Sequence, residues 1–329
     1  MLTTTVAGRT WHFSHPIGWS LARGTGFSNP TSVAVASSGS IYVLNSADKM
    51  GSRVNNFTMD EKFIGEFGYG DFTWPVGLAL DKDGNVYCSE DYEHFIVSYS
   101  PDGERLEQWG EIGSAEGQIH GPAGLAFDGD DNLWVVDSLN NRVQTFTKNG
   151  KFLQSWGKAG SGDGQLNRPW GIAIDRNGDV YVADWGNDRV QTYSPEGTFL
   201  VSVGSRIADG GQLDHPSDVA VDSDVDVYVT DWGNNRVQIY YPDGDIITAL
   251  YGDARVFSKW AQEYMDANPD YVEAYKRIDP NELVTMGHLS RPRGIAIDDQ
   301  DRILITDGMR GRLQVYAKDK NYLPPQFNL

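Results

Sequence analysis

Apolar and polar residues alternate with a period of two along most of this chain, in short runs that end in turn-forming residues. VYVAD (Val180–Asp184) and VYVTD (Val227–Asp231) are clear cases, each preceded by an Asp-rich turn. Such runs turn one face to a core and one outward, which predicts short β-strands. One stretch breaks the pattern. Between Asp253 and His288 large residues fall four apart, Trp260 with Tyr264 and Tyr271 with Tyr275, which is helical spacing. Asn268-Pro269 interrupts it, because a residue before proline is pushed out of helical angles, so two short helices are expected.

The strands recur in a unit. A proline, two spacer residues and a small apolar run appear six times, at Pro30, Pro75, Pro122, Pro169, Pro216 and Pro292. Four of the five intervals are 45 or 47 residues; the fifth is 76, because it holds the helical stretch. Each unit continues through an Asp/Asn/Gly turn, an alternating run ending in an acid, a loop, an NRVQ-like strand, a second turn and a FLQSWG-like strand. Four short strands per unit of this length are the makings of a propeller blade.

This series of motifs in fixed order resembles the NHL repeat, from Pro30 to Tyr316. The expected fold is therefore all-β, a six-bladed β-propeller with four-stranded blades. It forms a single domain over residues 1–329, with a short helical insertion, 253–288, between blades five and six. After Tyr316, AKDKNYL resembles the start of a fourth strand that Pro324 and Pro325 would stop. The segment Trp11 to Ser20 is expected to complete blade six and remove the open edge. Blades three, four and five read as regular. Blades one, two and six depart from the pattern: Asn45 and Glu90 replace the acid, Phe95 replaces an arginine, and the insertion precedes blade six.

Charge narrows the partners. With 46 acidic and 27 basic residues the net charge is −19, which opposes binding to nucleic acid or anionic membrane surfaces. No run approaches 18 apolar residues, the N-terminus lacks a secretory pattern, and the one cysteine, Cys88, permits no internal disulfide. A cytoplasmic location is the expectation.

Candidate chemistry follows from the register. The residue after each repeat proline should face the central channel: Thr31, Val76, Ala123, Trp170, Ser217 and Arg293. At the next position four blades have Gly, but blades one and five have Ser32 and Asp218. Trp170 and Arg293 together suit a carboxylate or a planar ligand, by stacking and a bidentate contact. The plainer alternative is that Trp170 plugs the channel and Arg293 pairs with Asp218. Candidate catalytic residues are Asp218, Arg293 and His215. Candidate ligand-binding residues are Trp170, Tyr92, His94, His120, Trp260 and Tyr264, the last two on the expectation that the insertion forms a lid over the channel. Packing against the rim, or an oligomer contact, is the alternative for the insertion.

No metal site is expected. The resemblance that would bring zinc is to peptidylglycine-lyase propellers, whose ligand histidines follow the repeat prolines, and here those positions hold none. The Asp-rich turns lack the calcium-loop spacing, and Asp137, Asp184, Asp231 and Asp307 recur with the repeat as braces for their own loops. The cofactor stays unknown. Two functions fit: a channel-face site for a small molecule, either a binder or a lyase- or hydrolase-type enzyme, or an interaction scaffold for a protein partner without catalysis. RNA is disfavoured by charge. In ~150 mM salt, sub-micromolar protein is expected to give no RNA mobility shift, and a clear shift would contradict this reading.

Overall fold

The computed structural model describes residues 3–6, 8–20, 24–204 and 211–319. Six antiparallel sheets stand around one channel, each opened by a proline-led segment at the centre. The innermost strands are Pro30–Val35, Pro75–Leu80, Pro122–Phe127, Ile172–Ile174, Pro216–Val221 and Pro292–Ile297. Five sheets have four strands. The sixth has five, because Arg9–Ile17 pairs with Arg312–Lys318 and Thr3–Val6 pairs with Arg9–Ile17. The ring is thus closed by the N-terminal strand, as the sequence predicts. Pro324 and Pro325 lie outside the described residues.

Apolar clusters fill the seams between neighbouring blades. One joins Trp134, Val136 and Val143 of blade three to Ile172, Val180 and Val182 of blade four. The closing strand is also tied to blade five. The Trp11 indole donates to the Tyr228 hydroxyl at 2.8 Å, and that hydroxyl donates to Asp222 at 2.8 Å. The Lys318 ammonium, almost wholly buried, reaches Asp222, Asp224 and Asp226 at 2.6, 2.8 and 2.8 Å. Lys148, directly after the corresponding strand Arg142–Thr147 of blade three and partly exposed, reaches Asp83 at 2.9 Å and Asp131 at 3.3 Å. A lysine therefore stands where a cation would have to sit in these two acidic clusters; a third group of acids, Asp188 and Asp214 with His215, has no lysine in it. The turns themselves are hairpin chemistry, with Asp81 accepting from the N–H groups of Asp83 and Asn85.

The recurring acid organises each regular blade. Asp184 accepts from the Asn167 N–H at 2.7 Å, the Asn187 amide at 2.8 Å, Arg189 Nε at 2.9 Å and the Gln191 amide at 3.2 Å. Arg189 Nη2 donates to the carbonyls of Gly162 and Gln165, in the loop that enters the blade. Asp137, Asp231 and Asp307 hold the equivalent arginines at 2.7, 2.8 and 2.8 Å.

The insertion contains three helices rather than two: α1 (Lys259–Ala267), α2 (Pro269–Tyr275) and α3 (Pro280–Gly287). Asn268-Pro269 separates the first pair, as expected. Single 3₁₀ turns follow the acid at Ser138–Asn140, Trp185–Asn187 and Gly308–Arg310. Among the described residues no helix is long and apolar enough to cross a membrane.

Arg189→Ala removes one half of a buried pair and strands the Asp184 carboxylate. A loss of about 3 kcal/mol is expected in urea or thermal unfolding. Lys276→Ala, which breaks an exposed pair with Glu273, should cost under about 0.5 kcal/mol in the same assay.

Candidate functional site

The channel opens on the proline face into a cavity of about 160 Å³. Trp170, Asp218 and Arg293 all line it, on blades four, five and six, with Thr31, Ser32, Val76 and Ser217 around the same ring. Of the six residues that follow the repeat prolines, Ala123 alone is not on its wall. Two further tryptophans complete the lining, Trp185 and Trp232. Each is the residue directly after the recurring acid, in the DWGN of blades four and five. Below the cavity, Val33, Ile172, Val219 and Ile295 form an apolar neck, shared with a wider space lined by Val35, Leu80, Ile174, Val221 and Ile297.

The register explains the glycines. A Cβ on Gly77, Gly124, Gly171 or Gly294 would collide with the next blade's inner strand. Ser32 and Asp218 instead bond across the seam: Ser32 accepts the Leu78 N–H at 3.2 Å, and Asp218 accepts the Ile295 N–H at 3.0 Å. Asp218 also accepts its neighbour's N–H, from Val219 at 3.0 Å. Two backbone donors do not offset the loss of water, and burial pushes its carboxyl up to about 7.

Arg293 does not pair with Asp218. Among the described residues its guanidinium has no ion pair and no side-chain hydrogen bond. Burial and then the nearby Arg291 both weaken its hold on the proton. Arginine nonetheless stays charged in proteins, so the cavity carries an uncompensated cation. Two of the three hydroxyls on the wall are already committed. The single Ser217 O–H is shared between the carbonyls of Pro292 and Arg293, each 3.0 Å away, and Thr31 donates to the Leu44 carbonyl at 3.3 Å; Ser32 accepts from Leu78 and keeps its own proton for the cavity.

Other candidates lie elsewhere. His215 sits at the mouth, its ring 4.1 Å from that of Trp185 and its Nδ1 on Asp214. It backs the wall rather than lining it. His94 is part of an inter-blade latch. Asn141, Asp188 and Asn235 each accept the N–H of the residue before the next repeat proline, at 2.8 Å. His94 does the same for Gly121 through Nδ1 at 3.1 Å, and all four residues have a positive φ. The His120 ring packs edge-on against His94 at 4.9 Å, beside Asp91, whose carboxyl burial pushes up. Tyr92 is exposed. None of these three lines the cavity.

The lid expectation is corrected. No residue of 253–288 lines the cavity. Trp260 is buried among Phe27, Phe57 and Phe63, with ring centroids 5.5 to 6.5 Å away, and Tyr264 lies 4.4 Å from Trp19. The start of α1 is held by the Glu61 carboxylate, which accepts from the Lys259 N–H at 2.6 Å, a favourable charge for a helix N-terminus. Helix α1 packs at the seam of blades six and one, as the rim-packing alternative expects.

Three segments of the sequence, 166–193, 213–240 and 289–316, match the NHL repeat family. They are blades four, five and six, and with the six-bladed ring they decide the family. The chain is an NHL-repeat β-propeller. Blade six, read as irregular, is a regular NHL repeat behind an insertion. No curated protein sequence matches this NHL propeller. Solved structures do resemble it. A streptogramin B lyase is 10% identical with a TM-score of 0.59, over 96% of this chain and 100% of that one. A gluconolactonase from Xanthomonas campestris is 14% identical with a TM-score of 0.62, over 94% and 99%. A protein of unknown function from Bacteroides thetaiotaomicron is 16% identical with a TM-score of 0.67, over 94% and 76%. At these identities the likeness is one of fold.

Asp218 makes stability depend on pH. Between the unfolded carboxyl value near 4 and the folded value of about 7, the folded NHL propeller holds the extra proton. That contribution is present at low pH and falls by up to about 1.4 kcal/mol per pH unit as pH rises through this window, then stays flat. Asp218→Asn cannot titrate. The stability of wild type minus that of the variant, from urea unfolding, is expected to fall from pH 4 to 7 and level off above; a flat difference would show that the carboxyl is not displaced.

Proposed function

We propose that the channel-face cavity of this NHL propeller is a small-molecule site that takes an organic anion. Arg293 is the charge partner, and any chemistry there is of the lyase or hydrolase kind. The observation that carries the reading is the unpaired guanidinium. A half-buried cation without a partner is poorly solvated, and an entering anion recovers that loss. Two of the structural neighbours, a lyase and a lactonase, are enzymes on the same fold, which supports a small-molecule role over a scaffold. Asp218, whose carboxyl burial pushes up to about 7, is suited to give or take a proton beside the bound anion.

The test is a thermal-shift screen of organic anions against wild type and Arg293→Ala. A ligand at about 100 times its Kd should add about 2.7 kcal/mol to wild type. Arg293→Ala should lose at least about 1.5 kcal/mol of that binding, the low end for a charged hydrogen bond. Without ligand the variant should be as stable as wild type or more so, because an unpaired, half-buried charge has been removed. If every hit binds the variant equally well, the cavity is not the site, and a protein-binding scaffold becomes the better reading.

A further inference from the structure

Three of the ten tryptophans in the chain face one small cavity. Their placement is lopsided. Trp185 and Trp232 occupy the position after the acid in adjacent blades four and five, where blades one, two, three and six have Ser46, Asp91, Ser138 and Gly308. Trp170 adds a third ring on the same side, 5.9 Å from Trp185. These indoles are braced from behind. The His215 ring stands 4.1 Å from Trp185, and the Arg291 guanidinium lies 4.6 Å over Trp232.

We infer that the ligand of this cavity is a small planar aromatic carboxylate, its ring held by Trp170, Trp185 and Trp232 and its carboxylate by Arg293. The inference rests on the small-molecule reading and narrows it. Size supports one ring: an apolar cavity of about 150 Å³ accommodates a benzene, and this one measures about 160 Å³. The wall chemistry disfavours a sugar or other polyol. Of the three wall hydroxyls, Ser217 and Thr31 already donate to backbone carbonyls and only Ser32 keeps a proton to offer, so a ligand rich in hydroxyls would leave most of them unpaired on entering. A flat ring needs no such partners. It stacks on indole, and aromatic pairs are favoured beyond the apolar area they bury.

The experiment measures binding by tryptophan fluorescence quenching and calorimetry with four probes: benzoate, cyclohexanecarboxylate, benzamide and gluconate. Benzoate is expected to bind several-fold tighter than cyclohexanecarboxylate, which has its charge without its planarity. It should also exceed benzamide, which has the ring without the charge. Gluconate should bind weakest. Trp232→Leu, checked for an unchanged melting transition, should reduce the preference for benzoate over cyclohexanecarboxylate to about two-fold or less while keeping the latter's affinity. Equal binding of the two carboxylates to wild type overturns the aromatic inference and leaves the anion site standing. Preference for gluconate overturns it in favour of a polyol. If no probe binds although the broader anion screen finds an Arg293-dependent ligand, the inference fails alone; if neither finds one, the site itself fails with it.

Discussion

The geometry of this ring depends on a buried carboxylate bonded to an arginine five residues along the chain. Burial of a charge is tolerated only when its lone pairs are filled, and in blades three, four and six the acid collects a backbone N–H, an arginine Nε and a glutamine amide. The arginine then uses its outer nitrogens to grip the loop that enters the blade. That loop leads directly to the repeat proline and to the residue facing the channel. Arg189 thus fixes the approach to Trp170. Arg312 grips the carbonyls of Met286, Gly287 and His288 and fixes the approach to Arg293. Stability and site geometry share one set of hydrogen bonds.

Where the acid is replaced, the structure compensates locally. Asn45 cannot neutralise a cation, and Arg53 turns to Glu66 at 3.1 Å instead. Glu90 reaches one methylene further and catches the N–H groups of Thr73, Trp74 and Tyr92. With Phe95 in place of the arginine, burial pushes the Glu90 carboxyl upward. The irregular loops of blades one and two are alternative solutions to the same loop problem, and Asn45, Arg53, Glu90 and Phe95 stay off the cavity wall.

This division explains what was legible in the sequence. A strict repeat fixes which residue of each blade reaches the axis, so Trp170, Asp218 and Arg293 could be assigned to one mouth from spacing alone. Trp185 and Trp232 carried a signal, the DWGN shared by two neighbouring blades, but it sits inside a motif whose other members are structural. His94 misled for the opposite reason. A histidine in a loop reads as chemistry, yet its backbone sits in the left-handed region and its ring does the work of an asparagine. The insertion could be read as helical, but not where it would dock. Its anchor is Glu61, 198 residues earlier in the chain, and no local pattern reports a contact at that distance.

The closing strand has a consequence for how the molecule is made. His12 and Asp319, which meet across the finished seam, are separated by 307 residues. At the usual pace of translation, about 5–20 residues per second, Arg9–Ile17 waits roughly 15–60 s for Arg312–Lys318 to emerge. During that interval the nascent chain is an open arc with a free strand at its leading end, the condition in which chains pair wrongly with one another. Thr3–Val6 pairs with Arg9–His12 on the outer side of that strand, so the first half of the waiting edge is blunted on one side before its true partner arrives.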